Sequence, residues 1–148
     1  MRPLRGAKLK ALYWSLTLLF VLPQTWSALQ YLMDAPRMSS TLAQLGYPAY
    51  FQHILGVAKL LGVVAIVSGV STTLKEWAYA GFTFDVLGAF ASHVSVKDPL
   101  WVALVPALFL VVQFGSYALW KRLEARHAVR RRRYLLGERV RELAESGV

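Results

Sequence analysis

The chain contains no cysteine. This absence excludes a disulfide framework, a thiol relay, an iron–sulfur cluster, a covalently attached c-type haem and a zinc site built on thiolates. With three histidines and eight acidic residues in all, we also find too few ligands with suitable spacing for a zinc site of another kind. Any redox role must therefore depend on a bound cofactor or substrate.

Charged residues are also scarce, since they make up 17% of the 148 residues, whereas 56% are hydrophobic. A soluble domain of this length has about a quarter charged and about 45–50% apolar residues. This composition excludes a disordered chain and a basic nucleic-acid-binding domain, and it indicates an integral membrane protein. The alternative, a soluble helical bundle, is disfavoured because its central helices would have no polar face to meet water.

Four apolar segments are long enough to cross the roughly 30 Å core of a bilayer, which requires about 20 helical residues. They cover residues 11–33, 50–71, 77–96 and 100–120. The connections TTLKE and KDP leave room only for tight turns between helices. The sequence therefore predicts an all-α fold, in which an antiparallel four-helix membrane bundle over 1–120 is followed by a basic, helical cytoplasmic tail over 121–148.

The distribution of Lys and Arg predicts the orientation. Nine of these residues follow Trp120, and the N-terminal ten residues contain Arg2, Arg5, Lys8 and Lys10, whereas the three connections carry one each. Because cytoplasmic segments are enriched in Lys and Arg, we expect both termini in the cytoplasm, as an even number of spans requires. A cleaved signal peptide is the alternative interpretation of the first segment, but cleavage after Ala28 would place Trp26 where a small residue is preferred.

Lys59 and Asp85 lie near the middle of the second and third apolar segments. Counted from Thr73 in the connecting turn, Lys59 lies 14 residues before and Asp85 lies 12 residues after. In an antiparallel helix pair this difference corresponds to roughly 3 Å in depth. Because an isolated charge at that depth is far more costly than a hydrogen-bonded ion pair, we predict that Lys59 and Asp85 form an internal ion pair.

Small residues share a helix face with Asp85. At about 100° per residue, Gly81, Gly88 and Ser92 fall within roughly 60° of one another and of Asp85. Stripes of small residues allow membrane helices to pack closely. We therefore expect this face to contact a neighbouring helix closely, so that Asp85 faces protein and not lipid.

The same count from Thr73 predicts a polar column on the non-cytoplasmic side of the ion pair. His53 and His93 each lie 20 residues from Thr73, so they should share one depth. The candidate ligand-binding or proton-carrying residues are Gln52, His53, Ser92 and His93, with Gln24 and Gln113 near the middle of the first and fourth segments. Three interpretations stay open: contacts that hold the helices in register, a proton path or quinone-like ligand pocket, and a b-type haem ligated by His53 and His93.

The tail after Trp120 carries nine basic and four acidic residues. Anionic lipid headgroups attract such a segment by about 1 kcal/mol for each basic residue near the membrane surface. A membrane or cytoplasmic protein that docks on the helical tail is the other expected partner. A single basic run does not predict nucleic-acid binding.

Two segments resemble a known family. LGYPAYFQHILGVAKLLG (45–62) and LKEWAYAGFTFDVLGAFASH (74–93) are similar to the DoxX-like group of small four-helix bacterial membrane proteins, and the resemblance extends over about 11–120. DoxX relatives include a subunit associated with a thiosulfate:quinone oxidoreductase and proteins linked to other membrane oxidoreductase complexes.

The resemblance implies a multi-pass inner-membrane protein that serves as an accessory or quinone-associated subunit of a redox or stress-response system. It implies a quinone as the candidate cofactor and an accessory role without catalytic activity of the chain's own, and it brings no established catalytic assignment to any residue. The alternatives are a small proton-coupled transporter that uses the polar column and a structural membrane assembly factor.

Overall fold

The computed structural model describes residues 6–145. Its elements in chain order are α1 (Gly6–Leu32), α2 (Pro36–Gln44), α3 (Phe51–Ser68), α4 (Thr72–Ser95) and α5 (Leu100–Glu145). No strand occurs in this part of the chain, so the predicted all-α fold class is confirmed. Arg2 and Arg5, which contribute to the predicted orientation, lie outside the described residues.

A short helix, α2, lies within the first long connection, where no element was predicted. Pro36 occupies its first turn, in which a missing N–H is tolerated because that group has no partner inside the helix. The chain leaves α2 through Gly46, whose φ of +83° strains residues that carry a Cβ. Leu42 is buried and α2 contacts α1, so this helix covers one end of the fold, which we call the α2 end.

The turn between α3 and α4 has the features of a helix end followed by a helix start. Gly69 adopts a left-handed φ of +62° directly after α3, as commonly occurs at helix C-termini. Ser71 then caps α4, and its Oγ accepts a hydrogen bond from the N–H of Leu74 at 3.3 Å. Lys75, which was predicted to lie in a surface turn, therefore belongs to the first turn of α4. We call this end of the fold the turn end.

The four long helices pack side by side. α1 contacts α3 and α5, and α4 contacts the same two helices. A cluster of buried apolar side chains lies where they meet and consists of Phe20, Val21, Ile66, Tyr79 and Phe82. The rings of Phe20 and Phe82 meet edge to face with centroids 5.1 Å apart, a geometry that aromatic pairs favour.

The outer surface of this assembly is apolar over much of its area. Side chains that are more than half exposed include Leu19, Leu61, Val64, Leu108 and Val111. Buried polar side chains include Thr17, Gln24, Lys59, Gln113 and Ser116. Soluble proteins rarely expose contiguous apolar surface while burying charged groups. The distribution is instead typical of helices surrounded by lipid.

Two helices in the described residues are long and apolar enough to cross a membrane. They are α3 over Phe51–Ser68 and the part of α5 within Leu100–Glu142. α1 and α4 are long enough, but polar residues lower their average hydropathy, among them Gln24 in α1 and Asp85 in α4. The count of four membrane spans therefore stays a prediction.

The glycines of α3 and α4 have opposite surroundings. A Cβ added at Gly62 would lie 2.7 Å from Cε2 of Phe82, and one at Gly56 would lie 2.9 Å from a side chain of α1, so both positions pack too closely for a larger residue. A Cβ added at Gly81 or Gly88 would meet nothing within 4 Å. The predicted close packing along this face of α4 is therefore wrong, because no neighbouring side chain reaches these two positions.

Candidate ligand-binding site

The centre of the site is the Lys59 ammonium, which contacts two other helices. Its Nζ lies 2.6 Å from Oδ2 of Asp85, so the structure brings the two residues of the predicted ion pair together. The same Nζ donates a hydrogen bond to Oε1 of Gln24 in α1 at 2.7 Å. The side chains of Lys59 and Asp85 are only 8% and 17% exposed, and charges so deeply buried need partners. One ammonium thereby connects α1, α3 and α4.

The Lys59 ammonium retains one further hydrogen-bond donor. An ammonium group carries three N–H donors, and within the described residues Lys59 donates to Asp85 and Gln24 only. Hydrogen bonds from a charged donor are roughly twice as strong as neutral ones. The third N–H is therefore available to an acceptor atom of a ligand.

A cavity of about 670 Å³, which we call the interior cavity, is lined by Lys59 and is itself open to the surface beside Phe84 and Trp101, which are 75% and 72% exposed. All five helices contribute to its lining, and the walls are mostly apolar. Its polar side chains include Gln24, Lys59, Asp85, Tyr47 and His93. Sites for small molecules have volumes of about 300–1,000 Å³ and combine apolar walls with a few polar groups. The interior cavity therefore has the size and lining that suit an amphipathic small molecule.

A second cavity of about 490 Å³, which we call the α3–α4 groove, lies between those two helices. Its walls are apolar except at Lys59 and Asp85, which line both cavities. Leu61 and Trp77 belong to the lining and are more than half exposed. The groove is thus open on the outer side of the fold.

Gln52 and His53, the α3 members of the predicted polar column, both contact Asp34. Nε2 of His53 lies 3.2 Å from Oδ1 of Asp34, and the side-chain amide of Gln52 donates to the same oxygen. Oε1 of Gln52 accepts a hydrogen bond from Ser39 at 2.9 Å. Asp34 lies two residues after the end of α1, so an acidic residue close to a helix end was the missed signal. These contacts attach the end of α1 to the start of α3.

Ser92 and His93, the α4 members of the predicted column, have different partners. Nδ1 of His93 lies 2.6 Å from Oδ2 of Asp98, and Oγ of Ser92 lies 2.8 Å from the hydroxyl of Tyr47. Between residues 6 and 145, no hydrogen bond joins this pair to the α3 pair. Of the four predicted residues, His93 alone lines the interior cavity. The structure therefore gives the two histidines separate carboxylates and not one shared site.

A second buried lysine, at the turn end, was missed by sequence reasoning. Lys75 is 6% exposed, and its Nζ donates to the hydroxyl of Tyr13 at 2.7 Å. The ammonium lies 5.2 Å from the ring centroid of Tyr13 and 5.0 Å from that of Trp120, within the range of cation–π attraction. The spacing of Lys75 from Tyr79 and Phe82 is that of one helix face and was the signal for its burial.

Hydroxyl and amide groups join α1, α4 and α5 in the core. Oγ of Ser116 lies 2.7 Å from Oγ1 of Thr17 and 2.8 Å from the hydroxyl of Tyr79. The side-chain amide of Gln113 donates to the carbonyl oxygen of Tyr79 at 2.6 Å and to Oγ1 of Thr83 at 2.8 Å. Gln113 was predicted to line the polar column, but it lies between α4 and α5 and does not line the interior cavity.

Comparison with known protein families identifies the family of this chain. The model of the DoxX-like family matches residues 15–116, which include the ion pair, Gln24 and the four residues of the predicted polar column. The chain belongs to the DoxX-like family. No curated protein and no solved structure matches it. Membership in the DoxX-like family, together with the apolar helices α3 and α5, indicates a membrane protein.

The basic part of α5 lies beyond the DoxX-like match. At its start, Nζ of Lys121 lies 2.8 Å from Oε1 of Glu76 and 3.0 Å from Oε2 of Glu124. The hydrogen bonds that Lys121 donates to Glu76 and Glu124 raise the pKa of Lys121, and the hydrogen bond that Glu124 accepts from Lys121 lowers the pKa of Glu124. This network attaches α5 to the first turn of α4 at the turn end.

Proposed function

We propose that this DoxX-like protein binds a quinone-like ligand in the interior cavity and serves as an accessory subunit of a membrane redox or stress-response system. The observation that carries the proposal is the Lys59 ammonium, held by Asp85 and Gln24, beside a largely apolar cavity of about 670 Å³. A quinone carbonyl oxygen accepts a hydrogen bond from the third N–H of Lys59, and the quinone ring suits the apolar walls. The chain holds the ligand and does not transform it.

The proposed setting is the bacterial inner membrane, with α1, α3, α4 and α5 as four antiparallel spans and both termini in the cytoplasm. Contacts between α3 and α4 support this order, because Lys59 meets Asp85 whereas the later Gly62 meets the earlier Phe82. The 46 residues of α5 extend over about 69 Å at 1.5 Å per residue. This length is more than twice the roughly 30 Å bilayer core, so the basic part of α5 extends into the cytoplasm.

The distance of each basic residue from the membrane decides which partner we propose for it. Arg130 to Arg133 follow Trp120 by enough residues to lie about 15–20 Å farther along α5. Electrostatic attraction to headgroups decays over about 8 Å at physiological salt. Anionic lipid therefore attracts the first basic residues after Trp120, and an acidic protein surface is the partner proposed for the residues farther out.

Tryptophan fluorescence tests the binding proposal. Trp101 lines the interior cavity, so a quinone bound there should quench its emission, and a Trp101→Phe variant identifies that component. The double variant Lys59→Met/Asp85→Leu removes both charges and should weaken binding about tenfold, which corresponds to the loss of a charged hydrogen bond. Gly137→Leu, in the exposed part of α5, is the matched control. Quenching that does not saturate, or equal affinity in the double variant, would contradict the proposal.

A proton-coupled transporter is the second candidate, because polar contacts occur on both sides of the ion pair. Toward the turn end, Ser116 joins Thr17 and Tyr79. Toward the α2 end, His93 contacts Asp98. Proton uptake by liposomes that contain the protein and a pH-sensitive dye tests this function. Flux that Thr17→Val abolishes would support it, and liposomes no leakier than empty ones would exclude it.

A further inference from the structure

The interior cavity and the α3–α4 groove share part of their lining, and the ion pair belongs to the shared part. The residues that line both are Leu55, Lys59, Phe84 and Asp85. All the other residues of the groove come from α3 and α4, whereas the interior cavity receives residues from all five helices. The groove therefore extends between two helices from the outer surface to Lys59 and Asp85.

The two spaces differ in chemistry. Besides the ion pair, the interior cavity contains polar side chains such as Gln24, Tyr47 and His93. Besides the same pair, the groove contains only aliphatic, glycine and aromatic residues. A ligand that fills both spaces must therefore have a polar head at one end and an apolar chain at the other.

Small residues of α4 keep both spaces open. Gly81 lines the groove and Gly88 lines the interior cavity. No atom lies within 4 Å of a Cβ added at either position. These two glycines lie on opposite sides of Asp85 in the sequence, so each leaves room on one side of the ion pair.

We propose that the ligand is a long-chain amphiphile whose head lies in the interior cavity against Lys59 and whose apolar tail leaves through the α3–α4 groove into the surrounding lipid. This inference rests on the proposed function, because it assumes that the head accepts a hydrogen bond from Lys59. It adds the long tail and the route of entry. A lipid-soluble ligand reaches the ammonium sideways from the bilayer and does not need to cross water.

A helix from a second copy of the chain is the competing occupant, because small residues also suit close helix packing in lipid. The shared lining favours the ligand. Lys59 and Asp85 line the interior cavity as well as the groove, so one molecule with a polar head and an apolar tail can occupy both spaces. A helix from a second copy would occupy the groove alone and would supply no acceptor for Lys59.

Two quinones that differ in the tail separate head binding from tail binding. Ubiquinone-0 has the head without a tail, and decylubiquinone carries a decyl chain on the same ring. Gly81→Leu places a side chain in the groove, and Gly88→Leu places one in the interior cavity. Gly137→Leu is the control outside both spaces. Binding is measured by tryptophan quenching in detergent, with each quinone expressed as its mole fraction in the micelle.

The expected pattern distinguishes the two glycines. Gly81→Leu should weaken decylubiquinone binding about tenfold and leave ubiquinone-0 binding within about twofold, because only the tailed ligand needs the exit. Gly88→Leu should weaken both quinones about tenfold. Gly137→Leu should bind both as the unchanged protein does.

The contrary outcomes separate this inference from the proposed function. If the unchanged protein binds neither quinone, both the inference and the proposed function fail. If it binds both and Gly81→Leu affects neither or affects both equally, the tail exit is wrong while the head site stands. If Gly81→Leu instead converts a dimer into a monomer in light-scattering measurements and leaves both affinities unchanged, the groove belongs to a second copy.

Discussion

Removing one partner of the Lys59–Asp85 pair is expected to destabilise the protein more than removing both. The two charged atoms are 2.6 Å apart, and the side chains are 8% and 17% exposed. Loss of one partner leaves an uncompensated buried charge and costs about 3–5 kcal/mol, whereas apolar replacement of both is often neutral. We therefore expect Lys59→Met and Asp85→Leu each to lower the free energy of unfolding by about 3–5 kcal/mol.

Gln24 determines how much unfolding free energy the double variant Lys59→Met/Asp85→Leu still loses. Its Oε1 accepts from Lys59 at 2.7 Å, so Lys59→Met/Asp85→Leu leaves this buried amide without its partner. An unsatisfied buried polar group costs about 1–3 kcal/mol. The double variant should lose about that much, which is less than either single variant, and the resulting coupling energy should be at least about 3 kcal/mol.

Unfolding in mixed micelles with increasing SDS, followed by tryptophan fluorescence, measures these free energies. Lys121 and Glu76 supply a matched control, because their charged atoms are 2.8 Å apart but each side chain is 41% exposed. An exposed pair contributes about 0–1 kcal/mol, so the cycle of Lys121→Met and Glu76→Leu should show little coupling. Losses for Lys59→Met and Asp85→Leu that add within about 0.5 kcal/mol would refute the reasoning.

The same unfolding assay applies to Gly62→Leu, which should cost about 1–3 kcal/mol because an added Cβ alone would lie 2.7 Å from Phe82. Gly81→Leu should cost nothing, and equal losses at the two positions would contradict their assigned surroundings. Lys75→Met should cost about 1–2 kcal/mol through the lost contacts with Tyr13 and Trp120, and Lys75→Arg should recover part of it. Reporter fusions at the two termini should both report the cytoplasm, whereas reports from opposite sides would exclude four spans.

The depth of the ion pair is predictable from sequence because a short turn joins α3 and α4. Counting residues from that turn gives Lys59 and Asp85 nearly the same height, and few other partners exist at that depth. The same count does not predict the partner of His53, because His53 contacts Asp34 in the connection after α1 and not a residue at the same depth in α4. Asp34 has a φ of +52°, and such loop conformations do not follow from helical periodicity.

The interior cavity was not predictable from periodicity either. Its volume is what remains after five helices have packed, and one of them, α2, has only nine residues. A helix of that length gives a weak periodic signal, and its proline and serines are equally typical of a loop. Lys75 shows a related difficulty, since a lysine beside an expected turn is normally solvated, whereas here two aromatic rings enclose it.

Glycine spacing alone does not distinguish a packed helix contact from a cavity. Gly62 and Gly81 both line the α3–α4 groove, yet Phe82 fills the space beside Gly62 and nothing lies within 4 Å of a Cβ added at Gly81. The two glycines differ in their position relative to the ion pair. Asp85 lies between Gly81 and Gly88 and holds the Lys59 ammonium, which retains an N–H for an acceptor. A closely packed helix would supply no acceptor for that donor, and the open space beside this buried charge is the reason for the ligand site proposed above.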